Sequence, residues 1–377
     1  MQLKSMVLAA FGCALVVTTS TLALAQLVPG TKRDLDFDAL MKTVDLDDPS
    51  LRLEYKKPTP DGSSIGMFIG RGDQPTDQCF VPTNPSSIPE AEVVSYRLAR
   101  FLGISRIYYP IDYYRLGPKA QAKFRDMVVN ARDTDPDGTT NRKLVLQDLK
   151  ANPTALLGIY RIRPKTKMYT VVSLGSGGKF DLNTGIAQEI SAKGPMPGDK
   201  RIALEGVSAG RPGYPTPPTE TRVELARQLS TIFVMDQLLG QWDRFWNNLE
   251  ASGDKNGRLK LVARDNGGAS LEDWEGYDDY SRWVSRFDRD VIDRLTALNA
   301  FLKGEAKEFA GFTSPETWKT AVGFIAPASY ETFQKKLAQL TEKRVPTIVK
   351  QYGDKTFFPP KSAEVAKLDA ADHGVDD

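Results

Sequence analysis

The chain has 377 residues, of which 41% are hydrophobic and 26% are charged, as is typical of a soluble globular protein with one large domain or two lobes. Its formal net charge of +2 argues against a strong binder of nucleic acid or acidic membranes. The single histidine, His373, excludes a Ser-His-Asp triad, Cys-His catalysis and histidine-ligated zinc sites, so any metal would be Mg²⁺, Mn²⁺ or Ca²⁺ held by oxygen ligands.

The N-terminal segment has the pattern of a secretory signal peptide. A short basic start and an apolar stretch lead to the small residues Ala23 and Ala25, which precede Gln26 as in an A-x-A cleavage site. We therefore expect residues 1–25 to be removed on export, giving a secreted or periplasmic protein. No stable membrane anchor is expected after that removal, because no other apolar stretch approaches bilayer length. Cys79 then remains as the only cysteine, so no intrachain disulfide is expected.

The next part of the chain is predicted to be rich in strands. Short apolar runs between turn clusters predict two or three antiparallel strands over residues 51–82. A helix follows, for which Ser87 and Glu90 form a predicted capping box and Gly103 marks the end. Residues 118–154 have the character of an insertion, and "LLGIYRIRP" with "KMYTVVSL" predicts a further hairpin.

The composition changes after this region. A stretch rich in glycine and proline predicts a long irregular connection, and the chain beyond it has helical periodicity. Thr221 and Glu224 form a predicted capping box for a helix that Gly240 ends, and another helix is expected over about residues 287–303. Strands first and helices later favour a two-lobed α+β protein. The predicted segments are a signal peptide (1–25), an N-lobe with an insertion (26–174), an irregular connection (175–220), a helical C-lobe (221–352) and a polar tail (353–377).

The predicted C-lobe contains a polar cluster among aromatic residues, "GQWDRFWNN". Such side chains are costly to bury unless they are paired. The sequences "NNLEA" and "RLKLVA" predict two strands around the turn "SGDKNG". Asp243 and Asn248 would then lie at the open end of a hairpin whose second strand leads to Asp265. Three oxygen-bearing side chains can converge there, as phosphoryl transfer requires.

The stretch "MDQLLGQWDRFWNN…LVARDNGG" resembles the catalytic segment of the atypical kinase superfamily. That group includes phosphatidylinositol 3- and 4-kinases, HipA-type kinases and the secretory-pathway kinases of the Golgi casein kinase and four-jointed type. The Asp-Asn-Gly sequence and the signal peptide favour the secretory kinases, and Phe245 stands where the family has a histidine. The matching residues are Gly240, Asp243, Arg244, Asn248, Asp265, Asn266 and Gly267.

The resemblance implies a two-lobed protein-kinase-like fold of the α+β class, with a strand-rich N-lobe and a mainly helical C-lobe. It also implies an ATP-dependent phosphotransferase that uses Mg²⁺ or Mn²⁺ and transfers the γ-phosphate to a hydroxyl group of a protein or glycan. Asp243 would be the catalytic base, and Asn248 and Asp265 would be metal ligands. Glu92 and Arg244 would belong to the nucleotide site, where Glu92 would pair with a nucleotide-binding lysine.

One position departs from the family pattern. Secretory kinases carry a Phe-Lys-Pro-like segment before the glutamate-bearing helix, whereas residues 80–82 read Phe-Val-Pro, with Val81 in the place of the lysine. The alternative function is therefore a catalytically weak or inactive pseudokinase that acts as a binding or scaffold module. Lys56, Lys57 or Arg71 could supply the charge from a neighbouring strand. If none does, the sequence predicts weak ATP binding, which Val81→Lys would strengthen by about 1–3 kcal/mol.

Overall fold

A computed structural model describes residues 29–57, 64–71, 78–83, 88–131, 136–153, 155–162, 168–170, 189–192, 219–241, 244, 248–253, 259–269, 271 and 284–362. The helices are α1 (Lys32–Thr43), α2 (Pro89–Phe101), α3 (Pro118–Asn130), α4 (Pro136–Ala151), α5 (Thr219–Leu239), α6 (Arg289–Leu302), α7 (Pro315–Val322), α8 (Pro327–Ala338) and α9 (Val345–Tyr352). The strands are β1 (Leu51–Lys56), β2 (Gly66–Arg71), β3 (Gln78–Pro82), β4 (Ile111–Arg115), β5 (Leu157–Ile162), β6 (Met168–Thr170), β7 (Leu249–Gly253) and β8 (Leu259–Ala263).

Five strands form an antiparallel sheet in the order β1-β2-β3-β5-β4. Three of them lie within residues 51–82, which confirms the strands predicted there. One face packs on α3 through an edge-to-face contact between Phe80 and Phe124, whose ring centroids are 6.1 Å apart. Because side chains alternate along a strand, Cys79 and its cross-strand partner Arg161 lie on the opposite face. That face looks towards α2.

Helix α2 is buried along nearly its whole length. Its N-cap residue is Ile88, so the prediction of a capping box that starts at Ser87 is wrong. Oε1 of Glu90 instead accepts hydrogen bonds from the backbone amides of residues 325–326, at 2.8 and 3.1 Å. Because Glu90 makes this tertiary contact, its side chain does not cap its own helix. The helix ends before Gly103, as predicted, and the φ of 69° at this residue favours glycine.

A second antiparallel sheet contains β6, β7 and β8 in that order. Strand β6 pairs with β7, whereas β5 pairs with β3 and β4, so the predicted hairpin between β5 and β6 is wrong. Both edges of β5 are already paired, which leaves no free edge for β6. The predicted hairpin around "SGDKNG" is confirmed as β7 and β8, which pair with Leu249 opposite Ala263.

Among the described residues, α5 is the next long element after β6. It begins at Thr219, so the capping box predicted at Thr221 is wrong. Glu224 lies inside the helix, where its Oε2 accepts a hydrogen bond from Nε of Arg227 at 3.1 Å. The helix ends before Gly240, as predicted, and Gly240 has a φ of 71°.

The remaining helices complete a mainly helical C-terminal part. Asp288 caps α6, which lies within the predicted range 287–303. Trp318 and Phe333 stack with ring centroids 6.1 Å apart in the core between α7 and α8. An antiparallel N-terminal sheet followed by this helical part confirms the predicted α+β class, while the predicted segment boundaries stay predictions. In the part of the chain that the structure describes, no helix has both the length and the apolar character needed to cross a membrane.

Candidate active site

The end of the β7–β8 hairpin brings Asn248 next to Asp265. The backbone amide of Arg264 donates a hydrogen bond to the carbonyl of Asn248 at 2.9 Å, which extends the pairing beyond the two strands. Asn248 therefore lies opposite Arg264, and Asp265 follows directly. Two of the three oxygen-bearing side chains that the sequence placed at this end do lie there, whereas Asp243 is outside the described residues.

Asp265 is held in an uncommon backbone conformation. Its φ and ψ of 51° and 57° lie in the left-handed region, which residues other than glycine seldom adopt. Its carbonyl accepts a hydrogen bond from Nε2 of Gln241 at 3.0 Å. Burial opposes ionisation of its carboxyl group, but the charges of Arg161, Lys56 and Arg264 outweigh burial and lower the pKa of Asp265. Asp265 therefore presents an ionised carboxylate from a fixed backbone position.

Arg244 braces the end of the hairpin from inside the protein. It is only 1% exposed, and its guanidinium donates to both carboxylate oxygens of Asp236, at 2.8 and 2.9 Å. It also donates to the carbonyls of Asn248 and Arg264 at 2.8 Å each, and to Oδ1 of Asn266 at 2.6 Å. One buried side chain thus fixes both strands and the Asp-Asn-Gly turn. Asp236 was not singled out from the sequence, and the predicted place of Arg244 in the nucleotide site stays a prediction.

Glu92 of α2 faces the same region. It is fully buried, and Nδ2 of Asn266 lies 3.5 Å from its Oε2, which links Glu92 to Arg244. Burial, together with the charge of Asp265, raises the pKa of Glu92 to about 7. Among the described residues, Oε1 of Glu92 has no hydrogen-bond partner. Since buried polar atoms are nearly always satisfied, such an oxygen marks a place that a donor or cation would complete.

Arg161 of β5 lies between the two carboxylates. Its side chain is 5% exposed, and its Nη1 is 3.8 Å from Oε1 of Glu92 and 3.5 Å from Oδ1 of Asp265. Its Nε donates to Sγ of Cys79 at 3.2 Å, which holds the guanidinium against the sheet. Sequence reasoning missed this residue. The available signal was a lone charge inside the apolar run "LLGIYRI".

Val81 lies beside Arg161 on the same face of the sheet. It pairs with Ile159, while Arg161 pairs with Cys79, so Val81 and Arg161 are diagonal neighbours across β3 and β5. Val81 itself is buried. A cation from the adjacent strand therefore stands close to the position at which the resemblance implies a lysine.

The three cations named from the sequence as substitutes lie in different surroundings. Lys56 is buried at the end of β1, and its Nζ donates to the carbonyl of Ser64 at 2.9 Å. Its charge helps to lower the pKa of Asp265, after the opposing effect of burial and behind the charge of Arg161. Lys57 and Arg71 are exposed. Lys56 is thus the only one of the three named residues with a buried side chain.

Solved structures share this fold. The crystal structure of the golgi casein kinase aligns with a TM-score of 0.52 at 13% sequence identity, covering 85% of this chain and 76% of that chain. A structure of hydra Fam20 with sugar aligns with a TM-score of 0.50 at 11% identity, covering 89% of this chain and 97% of that chain. No protein-family model matches the chain, and no curated protein matches it. The chain therefore shares its fold with these two structures, as predicted.

Proposed function

We propose that the protein is an exported, ATP-dependent phosphotransferase that transfers the γ-phosphate of ATP to a hydroxyl group of a protein or glycan. The observation that carries this proposal is the meeting of Asn248, Asp265 and buried Glu92 at one end of a hairpin in a secretory-kinase-like fold. Catalysis of phosphoryl transfer depends mainly on positioning the reactants and stabilising the charge of the transition state, and such a cluster can do both. Export, to a secreted or periplasmic location, rests on the predicted signal peptide of residues 1–25.

Asp265 and Asn248 would suit Mg²⁺ or Mn²⁺ as two members of a ligand set, while among the described residues no three His, Cys, Asp or Glu side chains are grouped so that they could hold a metal ion. Both ions prefer oxygen ligands, and Asp265 offers a carboxylate whose lowered pKa keeps it ionised. Asn248 offers an amide oxygen from the opposite strand of the hairpin. The hydrogen bond from Gln241 to the carbonyl of Asp265 fixes the backbone that carries the carboxylate. A bound divalent cation would neutralise charge on the phosphates of ATP.

The other residues of the site would accept a proton or hold neighbouring groups in position. Asp243 would accept the proton of the acceptor hydroxyl. The acceptor oxygen then forms a bond to the γ-phosphorus while the bond from that phosphorus to the oxygen of ADP breaks, and ADP leaves. Glu92 would organise the charges of the nucleotide site, and Arg244, which is buried behind the hairpin, would hold Asn248 in register.

A pseudokinase is the second candidate, and Val81 is the observation that favours it. Without a lysine at this position, the chain could bind nucleotide in the same site and transfer no phosphate. It would then act as a binding or scaffold module. The two candidates therefore agree on nucleotide binding and differ on turnover.

Metal-dependent ATP binding tests the site that both candidates share. Thermal unfolding with ATP and Mn²⁺, compared with ATP alone, should show a metal-dependent rise in the melting temperature. Asp265→Asn should abolish this rise, because asparagine tolerates the left-handed backbone but lacks the charge. Asp293→Asn, the same change on an exposed residue of α6, is the matched control and should retain the rise. An unchanged metal response in Asp265→Asn would contradict the assignment of Asp265.

Phosphate transfer then separates the candidates. ATP radiolabelled in its γ-phosphate would be offered with casein, with monosaccharides and without an acceptor. Labelled product that Asp243→Asn abolishes would support the phosphotransferase. Metal-dependent ATP binding without labelled product would support the pseudokinase. A protein that binds no ATP under any of these conditions would contradict both.

A further inference from the structure

We propose that Arg161 binds the phosphates of the nucleotide, in place of the lysine that position 81 does not supply. This inference rests on the proposed function, because it assigns a further residue within the same nucleotide site. It also revises the expectation, drawn from Val81, that the site lacks a phosphate-binding cation.

The position of Arg161 is the first argument. It lies on the strand next to β3, diagonal to Val81 and on the same face of the sheet. Its guanidinium stands within 3.8 Å of Glu92 and 3.5 Å of Asp265. Two carboxylates without a cation would repel an incoming phosphate. Arg161 neutralises part of their charge at the place where the phosphate must approach.

The N–H donors of Arg161 are the second argument. A guanidinium has five N–H donors, of which Nε is engaged with Cys79 and Nη1 faces the two carboxylates. Among the described residues, the hydrogen bonds of Arg161 come from Nε and Nη1, and Nη2 is not one of the buried atoms that lack a partner. Nη2 supplies the remaining N–H donors. A phosphate oxygen is an acceptor that suits them, since guanidinium groups bind phosphate through paired N–H donors.

Lys56 is the competing cation, and its surroundings favour Arg161. The ammonium of Lys56 is held by the carbonyl of Ser64 at 2.9 Å. Strand β1 is also separated from β3 by β2 in the sheet, whereas β5 is adjacent to β3. Of these two cations, Arg161 therefore lies on the strand nearer to the place of the missing lysine.

The test compares ATP with adenosine in wild type and in Arg161→Met. Titration calorimetry with Mn²⁺ should show that Arg161→Met binds ATP about 10- to 150-fold more weakly, since a charge-assisted contact has been removed. Adenosine, which has no phosphate, should bind both proteins equally. Arg115→Met, on the exposed end of β4 in the same sheet, makes the same change of charge and should bind ATP as the wild type does.

A second substitution, on the neighbouring strand, tests whether Arg161→Met loses ATP affinity only because it disturbs the fold. Val81→Lys in the Arg161→Met background should restore at least about tenfold of the lost ATP affinity, because it returns a cation to the same face of the sheet. Equal losses of ATP and adenosine in Arg161→Met, without rescue, would mean that Arg161 only holds the fold, and would overturn the inference.

The remaining outcomes separate this inference from the proposed function. Wild type that binds ATP with Mn²⁺, together with Arg161→Met that binds ATP as tightly, would overturn the role of Arg161 and leave the proposed function standing. Wild type that binds no ATP would overturn the proposed function, and the inference with it.

Discussion

Removal of Arg244 should destabilise the protein strongly, because it would leave a buried carboxylate without its counter-ion. Arg244 and Asp236 are 1% and 2% exposed, and two hydrogen bonds of 2.8 and 2.9 Å join them. Breaking such a pair from one side costs about 3–5 kcal/mol. That is a large part of the roughly 5–15 kcal/mol that typically holds a domain together. At about 2–3 °C per kcal/mol, the melting temperature of Arg244→Met should fall by roughly 6–15 °C.

Urea unfolding, followed by tryptophan fluorescence, measures this loss as a change in the free energy of unfolding. Asp236→Asn added to Arg244→Met removes the unpaired charge and should restore about 1–3 kcal/mol. Lys32→Met is the matched control, because it breaks a pair with Asp36 whose two side chains are 64% and 59% exposed. It should cost no more than about 0.5 kcal/mol. A loss below about 1 kcal/mol in Arg244→Met, or no recovery in the double variant, would refute this reasoning.

Two further predictions concern the N-terminal end of the chain. Export should remove residues 1–25, so N-terminal sequencing of exported protein should begin at Gln26, and a retained initiator methionine would contradict it. Asp34 accepts hydrogen bonds from Tyr96 and Ser105 at 2.8 and 2.6 Å; burial opposes its ionisation, but Arg33 and these donors lower its pKa below 3.8. The stability that the ionised carboxylate contributes should be complete above pH 3.8 and be lost as the pH falls through the lowered pKa. On acid titration, the free energy of unfolding of Asp34→Asn should therefore fall less than that of the wild type. Equal falls in the two proteins would contradict this.

Local signals predicted the elements that local chemistry determines. Turn residues in "SGDKNG" sufficed for the β7–β8 hairpin, and glycines at 103 and 240 sufficed for two helix ends, because both features depend on backbone conformation over a few residues. The failed predictions depend on distant partners. Glu90 was expected to cap its own helix but bonds to residues 325–326, and β6 was expected to pair with β5 but found a free edge on β7.

The same limit explains which part of the site was missed. Asn248 and Asp265 share a hairpin, so their meeting could be predicted from spacing along the chain. Arg161 approaches them from β5, whose place beside β3 is not indicated by any local sequence pattern. The order of strands in a sheet depends on the whole fold. A neighbouring strand can therefore supply a charge that the Phe-Val-Pro segment of β3 lacks, and the sequence of that segment does not show it.

With Arg161 in place, Val81→Lys alone is expected not to strengthen ATP binding. The sequence predicted a gain on the condition that no other cation, such as Lys56, Lys57 or Arg71, reached the nucleotide site. In the structure, a lysine at this buried position would lie diagonally across from the guanidinium of Arg161, where the two positive charges repel and the new ammonium must be desolvated. The ATP affinity of Val81→Lys should stay within about twofold of wild type, while its free energy of unfolding falls by about 1–3 kcal/mol. Titration calorimetry with Mn²⁺ and urea unfolding measure the two effects. Binding that becomes about tenfold tighter in Val81→Lys would mean that the phosphate-binding place was unfilled, and that the guanidinium of Arg161 serves only to neutralise Asp265 and Glu92.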